Sequence, residues 1–436
     1  MRALYCGLAA TMLLVAGVGL AQEGEGEEQE TRQVSGINAK TYEKFAKAQE
    51  LAEAENYQGA INILNEIKNG KKKPSPAEMA QLYNFYGFIY YSQDRYTDAI
   101  KAYETVLQQP ELDEGTKTNT LYTIAQLYFS MENWQQAINK LNEWLKIATN
   151  PAPEPYILIG TAYYQLEQYN RMIQPVEKAM SIARERGKPI KEQWWLLLRV
   201  AYYEGNNLSK VADILEVLVV NWPKKEYWTM LSAMYSELNK ERQQLSAYAS
   251  AYDQGMLVKS SEVVQMSQLY MQADAPFKAA KVLDKGITDG IVDKTAENYR
   301  LLSQAWQMAA EYDKAITPLK KAAAISNQGE LDVRLANSYL NLGRHDECVS
   351  AARDGIRKGG LKRRDTAYEL LGTCLYEKSQ YEDAKNAFRQ AAKDKRAEKR
   401  ALNWVKFISS EQQRLEQLNK SIRELEQARS QPRDAA

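Results

Sequence analysis

The sequence predicts an all-α protein, a solenoid of about ten helix-turn-helix repeats closed by a C-terminal capping helix. Three observations carry that prediction. Only 22 glycines and 12 prolines punctuate 436 residues, and runs alternating valine, isoleucine and threonine are few. A small or modest residue returns at Ala60, Ala99, Ala137, Met172, Val211, Gln244, Ala279, Ala315, Cys348 and Ala384, at intervals of 33 to 39 residues by subtraction. Twelve residues before each stands a second small residue in most repeats: Ala48, Gly87, Ala125, Gly160, Ser232, Ser267, Ser303, Ala336 and Gly372, with Arg199 the exception. Three residues beyond that comes a large one, at Tyr90, Tyr128, Tyr163, Tyr202, Tyr235, Tyr270, Trp306, Tyr339 and Leu375.

Taken in order, the chain opens with MRALYCGLAATMLLVAGVGLAQ, one arginine followed by an apolar run from about Leu8 to Leu20 and small residues ending at Ala21. That is the pattern of a secretory signal peptide over 1–21, which makes the protein an exported, periplasmic one by expectation. The run is shorter than the roughly 20 residues a spanning helix needs, so no membrane span is expected after cleavage. Cys6 precedes most of the run, which argues against an acylated cysteine at a cleavage site. Residues 22–40 are acidic, contain glycine and hold few large apolar groups, as a flexible tether would.

The repeats are expected over 41–398. Within YGFIYYSQDRYTDAI, residues 86–100, Gly87 interrupts an amphipathic helix at a cost of roughly 1 kcal/mol relative to alanine. The sequence therefore implies that another backbone approaches at Gly87, where two antiparallel helices cross with Ala99 on the facing helix. Polar corners such as SQDRY at 92–96, MENW at 131–134 and KSQY at 378–381 are short enough to force antiparallel neighbours. KKKPSP at 71–76, NPAPEP at 150–155 and RERGKP at 184–189 read as loops between repeats.

This pattern resembles the tetratricopeptide repeat, W-x2-L-G-x2-Y followed by A-x3-F and a closing proline. Tyr83, Tyr86, Gly87, Tyr90, Ala99 and Tyr103 fill it in one repeat, Tyr368, Leu371, Gly372, Ala384 and Phe388 in another, and Trp195, Leu198, Tyr202, Leu215 and Pro223 in a third. The resemblance implies a right-handed superhelix with a concave groove for a protein or peptide partner. It places Tyr91, Phe129, Tyr164 and Tyr203 on that groove, with packing against adjacent helices as the alternative for these rings. Some members of the family clamp a partner's terminal carboxylate with lysine, asparagine and arginine. The early repeats here carry Asn84, Phe88, Tyr122 and Gln126 instead, whereas Arg300, Gln304, Arg334 and Asn337 form a partial substitute.

After the repeats, Trp404, Ile408, Leu415, Leu418, Ile422 and Leu425 fall at helical intervals. A capping helix over 399–428 is expected, because about two clean heptads fall short of the three to four that mark a coiled coil. Residues 429–436 are expected to be disordered. Cys348 and Cys374, on neighbouring repeats, would be the only cysteines left after signal removal, either as a disulfide or as two buried thiols.

Catalytic signals are lacking. His345 is the one histidine and falls in a polar corner with no acid or nucleophile at a recognisable spacing, so an enzyme is the least favoured reading. No metal or cofactor is expected, and a net charge of +1 gives no bulk attraction for nucleic acid. The layout of signal, acidic tether and repeat array resembles the exported repeat proteins of TonB, ExbB and ExbD energy-transduction systems. That resemblance implies a TonB-system subunit as partner; an envelope-assembly scaffold for outer-membrane, secretion or cell-wall machinery is the alternative.

Overall fold

A computed structural model of the protein describes residues 37–430, with side chains to residue 427. The signal-peptide expectation and most of the tether lie outside those residues. Among the described residues there are 21 helices and no strand. No described helix is long and apolar enough to cross a membrane. The described residues divide into two compact units, with the division between Ile214 and Leu215.

In the first unit, hairpins pair α1 (Ala39–Glu53) with α2 (Tyr57–Lys68), α3 (Pro76–Ser92) with α4 (Tyr96–Leu107), α5 (Glu114–Ser130) with α6 (Trp134–Leu145), and α7 (Pro153–Gln165) with α8 (Tyr169–Glu185). Next come α9 (Glu192–Glu204) and α10 (Leu208–Asn221). Helix α1 thus starts two residues inside the stretch read as tether. Its N-cap Asn38 accepts from the Thr41 amide, and Ser75 with Glu78 forms a full capping box on α3, with Pro76 opening the helix. The second unit continues with α11 (Lys225–Glu237), α12 (Glu241–Asp253), α13 (Ser260–Gln272), α14 (Pro276–Thr288), α15 (Ala296–Met308) and α16 (Tyr312–Ile325). It ends with α17 (Glu330–Asn341), α18 (His345–Lys358), α19 (Arg364–Glu377), α20 (Tyr381–Ala391) and α21 (Glu398–Ser430).

Each repeat turns the same corner. A left-handed residue with φ between 53° and 69° follows the first helix at Glu55, Asp94, Glu132, Glu167, Asn206, Asn239, Asp274, Ala310, Gly343 and Ser379. The next amide then donates back to the carbonyl three residues beyond the small position, as Arg95 does to Tyr90 at 2.8 Å and Gln380 to Leu375 at 2.9 Å. That six-to-one bond is the Schellman closure of a helix end. It explains why the corners share a length and a shape but not a sequence.

The small residue on the first helix is explained differently from the expectation. A Cβ on Gly87 would lie 2.6 Å from Tyr103 Cζ, so the glycine makes room for a facing ring, not for a facing backbone. Gly372 does the same for Phe388, at 2.7 Å. Backbone does meet backbone at Gly329, where a Cβ would fall 1.9 Å from the Gly355 carbonyl oxygen. The cores follow from this interlocking. Leu64, Leu82, Ile89, Ile124 and Leu141 are fully buried in the first unit, and Leu218, Met266 and Phe388 in the second.

Helix α21 does two things. Ala401 and Ile408 are fully buried against the last hairpin, and Trp404 stacks on Phe388 with ring centres 5.2 Å apart. From Glu416 to residue 427 every side chain is exposed, including Leu418, Ile422 and Leu425. The cap is thus shorter than 399–428, and the helix runs on to Ser430, into the tail expected to be disordered. The final residues of that tail, 431–436, lie outside the described ones.

At the start of α19 the buried Asp365 carboxylate accepts from Arg363 Nε at 2.9 Å and Nη2 at 2.5 Å, with Arg396 at 3.9 Å. The hydrogen bonds from Arg363 hold its carboxyl below the ordinary aspartate range, against the opposing effect of burial. A depressed folded value means a contribution that is present above the unfolded pKa near 4 and lost as pH falls through the folded one. Thermal midpoints should therefore drop as pH falls below about 4, and the Asp365→Asn variant should start lower and show a shallower drop. Parallel pH profiles for the two proteins would remove this carboxylate from the account.

Candidate partner-binding site

First helices α15, α17 and α19 of three successive repeats border a concave pocket of about 390 Å³ in the second unit. Arg300, Gln304, Arg334 and Asn337, the four residues singled out as a partial clamp, all line it. They come together because Gln304 and Asn337 each follow the small residue of their repeats, Ser303 and Ala336, while Arg300 and Arg334 stand about one turn earlier on the same faces.

The two arginines differ. Arg300 Nε donates to Glu297 Oε2 at 3.0 Å and its Nη2 to Oε1, an exposed pairing that raises the arginine and lowers the glutamate. Such a pair is worth little in water, so Arg300 can exchange its partner cheaply. Arg334 is exposed and has no acidic partner among the described residues, which leaves one uncompensated guanidinium at the pocket.

The polar lining adds direction. Gln307 Nε2 donates to Ser338 Oγ at 3.1 Å, and Ser338 Oγ donates to the Arg334 carbonyl at 3.1 Å. Ser303 is 1% exposed, yet its Oγ has no hydrogen-bond partner. The equivalent serines Ser232 and Ser267 donate to the carbonyls of Gln244 and Ala279, at 2.9 and 3.0 Å. An unpaired buried hydroxyl costs free energy that a ligand or water in the pocket would recover. Sequence spacing could not have separated Ser303 from its two counterparts.

The aromatic series stands apart from that pocket. Tyr91 packs against Tyr96 at 6.0 Å, Phe129 against Trp134 at 4.9 Å and Tyr164 against Tyr169 at 6.1 Å, each across its own hairpin corner. Tyr91, Tyr164 and Tyr203 are exposed, whereas Phe129 is 7% exposed and closed to a partner. Its edge-on contact with Trp134 is what covers it. The row expected to face a groove is therefore a set of corner rings, three of them open to solvent.

A second pocket in the first unit is lined by Glu104, Lys117, Lys140, Glu143 and Lys146, and Lys140 lies 3.3 Å from Glu143 and 4.0 Å from Glu104. His345 opens α18, with its Nδ1 buried and unpaired. Cys348 and Cys374, both fully buried, are joined as a disulfide with alpha carbons 5.9 Å apart, within the range such a bond spans. Among the described residues no group of three or more His, Cys, Asp or Glu is placed to hold a metal ion.

Two-helix hairpins stacked side by side, with a polar notch on their first helices, define the helical-repeat class of interaction scaffolds. Within that class, residues 78–150, 153–186 and 333–398 match models of the tetratricopeptide repeat. Proteins of this kind generally act as scaffolds for protein partners. The corners at Asn239, Asp274 and Ala310, in the stretch between the last two matches, have the same left-handed form.

No curated protein matches the sequence. Among solved structures, a crystal structure of MamA is 20% identical and covers 39% of this chain and 90% of its own, with a TM-score of 0.33. The TPR2AB domain in complex with pHSP90, from yeast Sti1, is 15% identical over 61% of this chain and 99% of its own, with a TM-score of 0.35. A tetratricopeptide repeat protein from Parabacteroides merdae is 18% identical over 70% of this chain and all of its own, with a TM-score of 0.33.

Proposed function

We propose that the protein is an exported scaffold that captures a segment of another protein, with the pocket between α15, α17 and α19 receiving a carboxylate of that segment. One observation carries the reading: Arg334, with no acid to pair with, shares a pocket with the unpartnered Ser303 hydroxyl and the amides of Gln304 and Asn337. A carboxylate offers acceptor oxygens to each of these groups and charge to the guanidinium.

Titration calorimetry with a peptide bearing a free terminal carboxylate and with its amidated twin tests this. The free acid should bind more tightly, and Arg334→Gln should weaken it by about tenfold, the scale of one charged hydrogen bond. Equal affinity for the two peptides would remove the carboxylate from the reading.

The cellular setting in this proposal is the periplasm, as an accessory of a TonB-dependent uptake system. Its support is the signal pattern of residues 1–21 and the layout of tether and repeats. Crosslinking in cells should recover TonB, ExbB or ExbD subunits. Recovery of cell-wall synthases without them would move the protein to envelope assembly.

A further inference from the structure

Three consecutive corners of the first unit carry side chains that the corner itself does not require. In the second, third and fourth repeats a ring near the end of the first helix, an acid three residues later and a ring two beyond that recur as Tyr91, Asp94, Tyr96, then Phe129, Glu132, Trp134, then Tyr164, Glu167, Tyr169. Each pair of rings is in contact, and Tyr96 Oη donates to Asp94 Oδ1 at 2.7 Å. In the last repeat Tyr376 and Tyr381 meet at 5.9 Å across Ser379.

Exposure and charge point the same way. Tyr91 and Tyr164 are open to solvent, and Asp94, Glu132 and Glu167 are exposed and not ion-paired with any described lysine or arginine. Helix dipoles do not select for this, because every corner joins one helix C-terminus to one N-terminus. Tyrosine faces at these corners already accept cations: Arg95 lies over Tyr90 at 4.5 Å and Arg171 over Tyr163 at 4.7 Å.

We propose that this edge docks an arginine- or lysine-bearing segment of a partner chain, its basic side chains settling corner by corner against carboxylate and ring. A guanidinium suits the place best, since it can stack on tyrosine while its N–H groups bond a carboxylate. The proposal deepens the scaffold reading by naming a second partner chemistry, and it does not depend on the pocket in the other unit.

Fluorescence anisotropy of the full chain with a labelled peptide of five Arg-Gly pairs, at physiological salt, tests it. The triple variant Asp94→Asn, Glu132→Gln, Glu167→Gln should lose affinity by about tenfold or more, as expected for desolvated cation contacts with carboxylate and ring. Tyr91→Leu with Tyr164→Leu should lose several-fold, while Glu111→Gln, Glu114→Gln, Glu143→Gln, which removes three acids elsewhere in the unit, should stay within about twofold. Equal losses in the two triple variants would reduce the effect to diffuse charge and overturn the proposal, as would indifference to the tyrosines. Circular dichroism checks that each variant is folded. Self-association of the parent, lost in the first triple variant, would assign the edge to the Lys71–Lys73 loop of a second copy and overturn it too. Arg334→Gln should leave this binding unchanged, so failure here and failure of the carboxylate pocket are separate results.

Discussion

Replacing Phe388 by alanine is expected to lower stability by about 3–5 kcal/mol, the range for emptying a buried aromatic site. The ring is fully buried, fills the notch left by Gly372 and lies flat on Trp404 of α21. It therefore holds the last hairpin closed and fastens the cap to it. Two neighbours would lose their partner, and the notch cannot collapse, because glycine offers no side chain to move into it. Urea unfolding should shift the midpoint, and Trp404 should report exposure in the same transition. A loss under about 1 kcal/mol would mean that the cap does not dock through this ring.

The second large effect is electrostatic. Lys358 Nζ lies 2.8 and 3.1 Å from the two Asp332 oxygens and donates to the Ala323 carbonyl at 2.7 Å. The Asp332 side chain is only 9% exposed. Lys358→Met would strand that carboxylate, at an expected cost of about 3–5 kcal/mol, because a buried charge without its counterion loses water without compensation. The paired change Lys358→Met with Asp332→Leu should recover most of the loss, since an apolar pair of similar volume needs no such compensation. Chemical denaturation of the two single variants and the double one closes the cycle. If the double variant is as unstable as Lys358→Met, packing at the junction and not charge is at stake.

Much of this fold was legible because the repeat writes its constraints at fixed intervals. Ala99, Gly160 and Cys348 could be placed at helix contacts from spacing alone, and the corners followed from their length. What the sequence concealed was direction. Gly87 reads as yielding to a backbone, and it yields to Tyr103; for Phe129 the spacing leaves groove and packing open, and the ring lies under Trp134. Both have one source, since a period fixes where a residue sits on its helix but not which neighbour's side chain reaches across.

Arg300, Gln304, Arg334 and Asn337 were chosen from register on the first helices, and register is what brings them to one pocket. The missing member, Ser303, looks like Ser232 and Ser267 in sequence and differs only in leaving the facing carbonyl unbonded. Its signal is a hydrogen bond left unmade, which spacing does not carry.

Because the ten turns are locked by main-chain bonds to a carbonyl that every amino acid possesses, their side chains answer only to the left-handed backbone they sit on. Among residues that tolerate that backbone, mutation can rewrite those ten places one at a time, as the glutamate, aspartate, asparagine, alanine, glycine and serine found there attest. A lineage could thus alter what this molecule touches along that border without ever renegotiating how it is built.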